Sequence, residues 1–111
     1  MFAKKNRLAK TKDVESTITQ GRAFFNPFFR LKVVFKKEGD PRFTVVVSTK
    51  VAKNASLRNR LKRIVREFVK KRLNILRKGD YVVGLKPGVT KIEEPKLLNS
   101  LESLLKVSKL L

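Results

Sequence analysis

Residues 54–70 read NASLRNRLKRIVREFVK and repeat apolar and basic side chains with the period of an α-helix. At about 100° per residue, one face collects an apolar stripe, which comprises Leu57, Leu61, Ile64, Val65 and Phe68. The opposite face collects a polar and mostly basic row, which comprises Asn59, Lys62, Arg63, Arg66 and Lys70. Asn54 or Ser56 can cap this helix, and Gly79 is expected to close the region after it. The pattern predicts a helix that packs on a core and presents cations to a partner.

The basic face of this helix belongs to a wider excess of positive charge. The 111 residues carry 28 Lys and Arg against 9 Asp and Glu, a formal net charge of +19. Residues 50–78 hold twelve basic residues and one acid, Glu67, whereas the stretch after them is nearly neutral. So large an excess predicts an acidic polymer as partner, with nucleic acid first and an anionic membrane surface second.

Several function classes are excluded by residue types that the chain lacks. Because it has no Cys and no His, it has no disulfide, no thiolate nucleophile and no imidazole base. Zinc sites and triad hydrolysis are therefore nearly excluded. No apolar run approaches the roughly 18 residues of a membrane-spanning helix, and no signal peptide is evident. We expect one cytoplasmic domain over residues 1–111.

Two further helices are predicted. Thr11–Gln20 has the pattern of a short helix, with Thr11 as its N-cap and Gly21 as its stop. Near the C-terminus, leucines recur at helical spacing after Pro95, which is tolerated in a first turn. They are Leu97, Leu98, Leu101, Leu104 and Leu105.

Three segments predict strands. Residues 29–36 and 43–48 alternate side chains with a period of two, and 81–85 are rich in β-formers. Residues 37–42 have turn chemistry, so the first two strands are predicted to form an antiparallel hairpin. Four phenylalanines beside the first strand can be core residues or platforms for unpaired bases, and the core interpretation is favoured. They are Phe24, Phe25, Phe28 and Phe29.

Residues 56–68 resemble the central helix of the protein subunit of bacterial ribonuclease P. The match covers the basic motif of that family, at Arg58, Asn59, Arg60, Lys62, Arg63 and Arg66. Asn6-Arg7-Leu8 followed by Asp13, residues 47–51 and residues 78–83 resemble flanking segments of the family. The resemblance runs in consistent order from about residue 5 to residue 88, and the C-terminal helix fits it.

The resemblance implies an α+β fold, an α/β sandwich with element order α-β-β-β-α-β-α. Its four-stranded sheet would contain a left-handed βαβ crossover around the central helix and be packed by helices. The same fold occurs in the second domain of a small-subunit ribosomal protein.

The resemblance also implies a function. A catalytic RNA, which holds the Mg²⁺ ions, would remove the 5′ leader from precursor tRNA, and the protein would supply no catalytic residue and bind no metal alone. The protein would bind that RNA through the matched residues of the central helix and favour metal binding and substrate affinity. A cleft between the sheet and this helix would receive the single-stranded leader. No membrane and no obligate protein partner is implied.

The resemblance assigns further residues by position. Those of the leader cleft would be Val14, Ile18, Arg30, Lys32, Ser48 and Lys50. Auxiliary cations would be Lys4, Lys5, Arg7, Lys53 and Lys70. The family usually has aromatic residues at the positions of Val14 and Ile18, and often at that of Lys32. Since aliphatic side chains cannot stack on a base as a ring can, we expect weaker stacking and more electrostatic leader binding.

Two other functions are compatible with the charge. A ribosomal protein or a general RNA chaperone would bind structured RNA and would gain no affinity from a 5′ leader on tRNA. A protein of the membrane surface would need a basic helix whose apolar face is exposed. The predicted strands offer that face a core, so the membrane ranks last.

Overall fold

The helices and strands follow the predicted order. The structure is a computed structural model that describes residues 3–111. Its main elements are α1 (Thr11–Gln20), β1 (Arg22–Phe25), β2 (Phe29–Phe35), β3 (Arg42–Val46), α2 (Ala55–Lys70), β4 (Gly79–Leu85) and α3 (Glu94–Val107). Short 3₁₀ helices occur at Lys4–Asn6 and Val89–Lys91. The order α-β-β-β-α-β-α is therefore confirmed.

The four strands form one sheet in the order β1-β2-β4-β3. β4 is antiparallel to β2 and parallel to β3, so the connection through α2 is a crossover between parallel neighbours. The antiparallel hairpin predicted for residues 29–36 and 43–48, which form β2 and β3, is wrong, because β4 lies between these two strands. Turn residues specify that the chain reverses but not which strand becomes the neighbour. The left hand of the crossover stays a prediction.

One face of the sheet forms the core with α2 and α3. The buried strand residues on this face are Phe29, Leu31, Val33, Phe43, Val45, Tyr81, Val83 and Leu85. The rings of Phe43 and Tyr81 stack with centroids 4.3 Å apart. Helix residues buried in the same core are Leu61, Val65, Phe68 and Val69 of α2 and Leu97, Leu101, Leu104 and Leu105 of α3. The predicted apolar faces of both helices are confirmed, although Leu57 and Ile64 of α2 and Leu98 of α3 are only half-buried.

Helix α1 packs against β2 and β4 on the other face of the sheet. Its predicted N-cap is wrong, since Thr11 is the first helical residue and Lys10 is the cap, without a side-chain hydrogen bond. Gly21 ends the helix at a φ of −72°, so it does not form a left-handed cap. A Cβ there would lie 2.4 Å from the Thr17 carbonyl oxygen and 3.0 Å from the Val33 nitrogen. Glycine is needed because a side chain would collide with the Thr17 carbonyl oxygen of α1 itself and would crowd the Val33 backbone of β2.

The ends of α2 differ partly from expectation. Asn54, one of the two predicted caps, accepts hydrogen bonds from the Ser56 and Leu57 backbone at 2.8 and 3.3 Å. The helix ends at Lys70, well before the predicted stop at Gly79. Gly79 instead begins β4, where a Cβ would lie 2.6 Å from the Val34 carbonyl oxygen.

A buried carboxylate joins the strands at one end of the sheet. Asp80 of β4 is 5 % exposed and accepts hydrogen bonds from Arg42 Nε and Nη2, both at 2.8 Å. Lys36 Nζ lies 2.9 Å from Asp80 Oδ2, and Arg42 Nη1 lies 3.6 Å from Asp13 Oδ2 of α1. Burial opposes ionisation of Asp80, but the hydrogen bonds from Arg42 and Lys36 outweigh it and hold its pKa below the ordinary value. The cluster ties β2, β3, β4 and α1 together.

We predict that Asp80→Asn lowers the free energy of unfolding by about 2–3 kcal/mol at neutral pH, because charged hydrogen bonds are lost. Since the folded pKa is lowered, the stabilisation by Asp80 is present above the unfolded pKa of about 4 and is lost as the pH falls through the folded pKa. Urea unfolding at pH 7 and in acid should therefore give a difference from the wild type that shrinks in acid. Glu38→Gln, at an exposed loop position, is the control. A difference that is independent of pH would contradict the prediction.

Candidate nucleic-acid interface

A basic cleft of about 510 Å³ lies on the face of the sheet that α2 and α3 leave open. Val82 and Gly84 of β4 lie between flanking residues of β2 and β3. Ile18 of α1 lines the cleft, as do the loop residues before α2 and after β4. The lining comprises Ile18, Arg30, Lys32, Val46, Ser48, Lys50, Val51, Val82, Gly84, Leu85, Lys86 and Pro87.

The structure brings five of the six predicted cleft residues together. They are Ile18, Arg30, Lys32, Ser48 and Lys50. Val14, the sixth, is half-buried in α1 and is not part of the lining. The expected position of the cleft needs correction, since no described residue of α2 lines it. Because α2 packs on the core face, the cleft lies between the sheet, α1 and the loop that precedes α2.

The cleft carries positive charge without a balancing acid among its lining residues. Arg30, Lys32 and Lys50 were predicted, and Lys86 adds a fourth cation. Sequence reasoning missed Lys86 because it follows a predicted strand at a Lys-Pro step that matched no motif. Ile18 and Val46 are 45 % and 42 % exposed, so the cleft also offers apolar contacts. Positive groups beside accessible apolar side chains suit a single nucleic-acid strand, which has phosphates and unpaired bases.

The matched basic residues of α2 are not one uniform surface. Asn59, Arg60 and Arg63 are exposed, whereas Arg58, Lys62 and Arg66 are half-buried. Arg60 and Arg63 each line a hollow on the α3 side of the helix, and Glu94 lines both hollows. Lys62, Arg66 and Lys70 lie about 140–220° around the helix from Leu57. None of these three residues lines the two hollows that contain Glu94.

Arg58 has a structural role that the sequence did not indicate. Its Nη1 atom donates hydrogen bonds to the carbonyl oxygens of Ala52 and Lys53, at 2.9 and 2.7 Å. Together with the Asn54 cap, these bonds fix the loop that carries Ser48 and Lys50 to the start of α2. Arg58 therefore helps to shape the cleft wall.

The N-terminal cations extend from a segment that is attached to β3. Asn6 is buried and donates from Nδ2 to the Pro41 carbonyl at 2.9 Å, and the buried Leu8 donates its N–H to the Phe43 carbonyl at 2.9 Å. The exposed residues of this segment include the predicted Lys4, Lys5 and Arg7, and Lys53 is exposed before α2. Lys5 Nζ lies 3.8 Å from Asp40 Oδ1.

The four neighbouring phenylalanines have different environments. Phe29 is fully buried, and Phe24 and Phe28 are half-buried against the core, so the core interpretation is confirmed for these three. Phe25 is 70 % exposed and does not belong to the core.

We predict that Arg58→Lys lowers the free energy of unfolding by about 1–2 kcal/mol, because the shorter lysine keeps the charge but cannot place its ammonium where Nη1 bonds the Ala52 and Lys53 carbonyl oxygens. Arg63→Lys, the same substitution at an exposed position of the same helix, should change it by less than about 0.5 kcal/mol. Urea unfolding of both variants checks this. Equal stabilities would contradict a structural role for Arg58.

Comparisons with known proteins identify a family for the whole of this fold. The ribonuclease P family model matches residues 2–109. The ribonuclease P protein component of Aromatoleum aromaticum is 42 % identical over 79 residues, which cover 71 % of this chain and 66 % of that protein. That of Chromobacterium violaceum is 32 % identical over 103 residues, covering 93 % and 85 % of the two chains.

Solved structures of ribonuclease P proteins have the same fold as this chain. The ribonuclease P protein of Staphylococcus aureus superposes with a TM-score of 0.87 at 30 % identity, over 95 % of this chain and 96 % of that one. That of Thermotoga maritima gives 0.80 at 27 % identity, over 90 % and 94 %. The mixed four-stranded sheet with its three helices is thus the fold of these proteins. The chain belongs to the ribonuclease P protein family.

Proposed function

We propose that this chain is the protein subunit of a bacterial ribonuclease P, which removes the 5′ leader from precursor tRNA in the cytoplasm. The observation that supports this most directly is the basic cleft on the open face of the sheet, with no acid in its lining. Family membership gives the activity, and the cleft provides a place for a single RNA strand.

Within this proposal, the protein binds and orients RNA, while the RNA subunit carries the chemistry. The sequence has no Cys or His, and residues 3–111 bring together no group of three acidic side chains that could hold a metal ion. The described residues therefore do not fit a protein-held metal site. We assign the Mg²⁺ ions to the partner RNA, and no step of the protein's own role uses them.

The cleft would hold the leader mainly by charge. Arg30, Lys32 and Lys50 would neutralise leader phosphates and release the counterions condensed on them. Val46 and Ile18 would contact the bases, but aliphatic side chains give no ring stacking. Contacts of this kind position a strand without reading its sequence, so leaders of different sequence would be accepted.

The surface outside the cleft would bind the catalytic RNA. Lys62, Arg66 and Lys70 follow one side of α2 at about one helical turn, or about 5–6 Å, from each to the next. The arginine can bind a phosphate with two parallel hydrogen bonds, whereas the lysines act as point charges. Lys4 and Arg7, on the segment attached to β3, would be auxiliary contacts to RNA.

The two alternative functions are less well supported. A membrane-surface protein needs an exposed apolar helix face, but the apolar residues Leu61, Val65 and Phe68 of α2 are buried in the core. Among residues 3–111, the helices are too short or too polar to cross a bilayer. A general RNA chaperone would bind precursor and mature tRNA equally, which separates it from our proposal by experiment.

We predict that Arg30→Gln with Lys32→Gln reduces leader-dependent affinity and its dependence on salt. Each phosphate contact to a single strand contributes about 0.7 to the slope of log affinity against log salt, so the double variant should lose about 1.4. The measurement is the affinity of the reconstituted holoenzyme for precursor and for mature tRNA between low and moderate salt. Lys91→Gln with Lys106→Gln, both at exposed positions outside the cleft, is the matched control. A leader-dependent affinity that is insensitive to salt in the wild type would contradict electrostatic leader binding.

We also predict that Lys62→Glu with Arg66→Glu abolishes cleavage at low Mg²⁺, because like charges then face the catalytic RNA. Lys91→Glu with Lys106→Glu makes the same change in net charge elsewhere and should leave cleavage near the wild-type rate. Circular dichroism of both variants checks that the fold is retained. Wild-type cleavage by the α2 variant would rule out this surface as the RNA contact.

A further inference from the structure

Phe25 is an exposed aromatic residue next to the cleft. It lies at the end of β1, which is an edge strand, and 70 % of its surface is accessible. Single exposed apolar side chains are common on protein surfaces and do not by themselves indicate a binding site. Whether Phe25 belongs to a binding site depends on the residues around its ring.

The register of the sheet brings Phe25 beside a cleft cation. Phe25 is the direct partner of Arg30 in the antiparallel β1–β2 pair, so their side chains share a face and have Cβ atoms about 5 Å apart. Ala23, the next β1 residue on that face, is the partner of Lys32 and has a small side chain. The ring is therefore the large apolar group that β1 presents on this face, next to Arg30.

A second cation approaches the ring. Lys86 Nζ lies 5.1 Å from the centroid of Phe25, within the range of a cation–π interaction. Lys86 is held in place because its backbone N–H donates to the Phe28 carbonyl at 2.9 Å. Both Lys86 and Arg30 also line the cleft. An accessible ring with two neighbouring cations is the combination that binds a nucleotide, by stacking on the base and by charge on its phosphates.

We infer that Phe25 is a stacking platform for one unpaired base of the 5′ leader, with the adjoining phosphates bound by Arg30 and Lys86. This inference rests on the proposed function and extends it by one residue, because Phe25 lies one strand beyond the lining of the cleft. It supplies from β1 the ring stacking that the aliphatic Ile18 cannot give from α1.

Phe25 also borders a second hollow, on the β1 edge of the molecule. That hollow of about 460 Å³ includes Phe24, Phe35, Arg77 and Val107. Val107 is 81 % exposed and has no part in the cleft. A partner bound in this hollow would depend on Val107 as well as on Phe25, so Val107→Ala distinguishes the two surfaces.

The test uses the holoenzyme reconstituted with a bacterial catalytic RNA. The ligands are mature tRNA and precursor tRNAs whose leaders carry 2-aminopurine at one position at a time. We expect Phe25→Ala to weaken precursor binding about fivefold to tenfold and to leave mature tRNA binding unchanged, as for loss of one stacked base. With the wild type, we expect the fluorescence of 2-aminopurine to be quenched at one leader position, and Phe25→Ala should abolish this quenching. Phe25→Trp should restore both, and Val107→Ala should change neither.

The outcomes separate this inference from the proposed function. If the wild type prefers precursor over mature tRNA and Phe25→Ala keeps that preference and the quenching, the platform is wrong and the proposed function stands. Equal weakening of precursor and mature tRNA, or an equal effect of Val107→Ala, also overturns the platform. If the wild type itself shows no preference for precursor over mature tRNA, both the proposed leader binding and the stacking role of Phe25 are wrong.

Discussion

The position of β4 at the centre of the sheet is the constraint from which the rest of the architecture follows. β4 is buried over most of its length, and it pairs with β2 on one side and β3 on the other. A strand that is parallel to the one before it needs a crossover, and α2 provides it. Because α2 and α3 both bury their apolar stripes on the Tyr81 face of β4, the opposite face is covered by α1, as far as residues 3–111 are concerned. The cleft is the part of that face that α1 leaves accessible.

The charge of the molecule is organised by burial. Asp80 is the one buried carboxylate among residues 3–111, and it holds Arg42 and Lys36 in a cluster that joins the strands. Most of the other cations are not paired with a buried acid and lie at the surface, in the cleft and along α2. A net charge of +19 disfavours a compact state through self-repulsion, and a polyanion would relieve it. The excess charge is thus better explained by binding than by stability.

Two RNA-binding surfaces would lie on opposite sides of the sheet. The loop before α2 connects them, since it carries Ser48 and Lys50 at the cleft and is attached to α2 by Arg58 and Asn54. In the function that we propose, the protein would hold the leader and the catalytic RNA in a fixed relation without taking part in the chemistry. Phe25 would add base stacking from an edge strand, where the sheet has room for a second molecule.

The sequence by itself predicted the helices, the apolar stripes, the family and five of the twelve residues that line the cleft. These features follow from periodicity and motif order, which are local properties of the chain. Tertiary structure alone decided that β4 separates β2 from β3, that Gly21 and Gly79 serve close packing, and that Arg58 bonds the loop. It also decided which of four neighbouring phenylalanines is exposed. The physical reason is that these outcomes depend on contacts between residues far apart in the chain, and no local pattern encodes which distant strand or carbonyl becomes the neighbour.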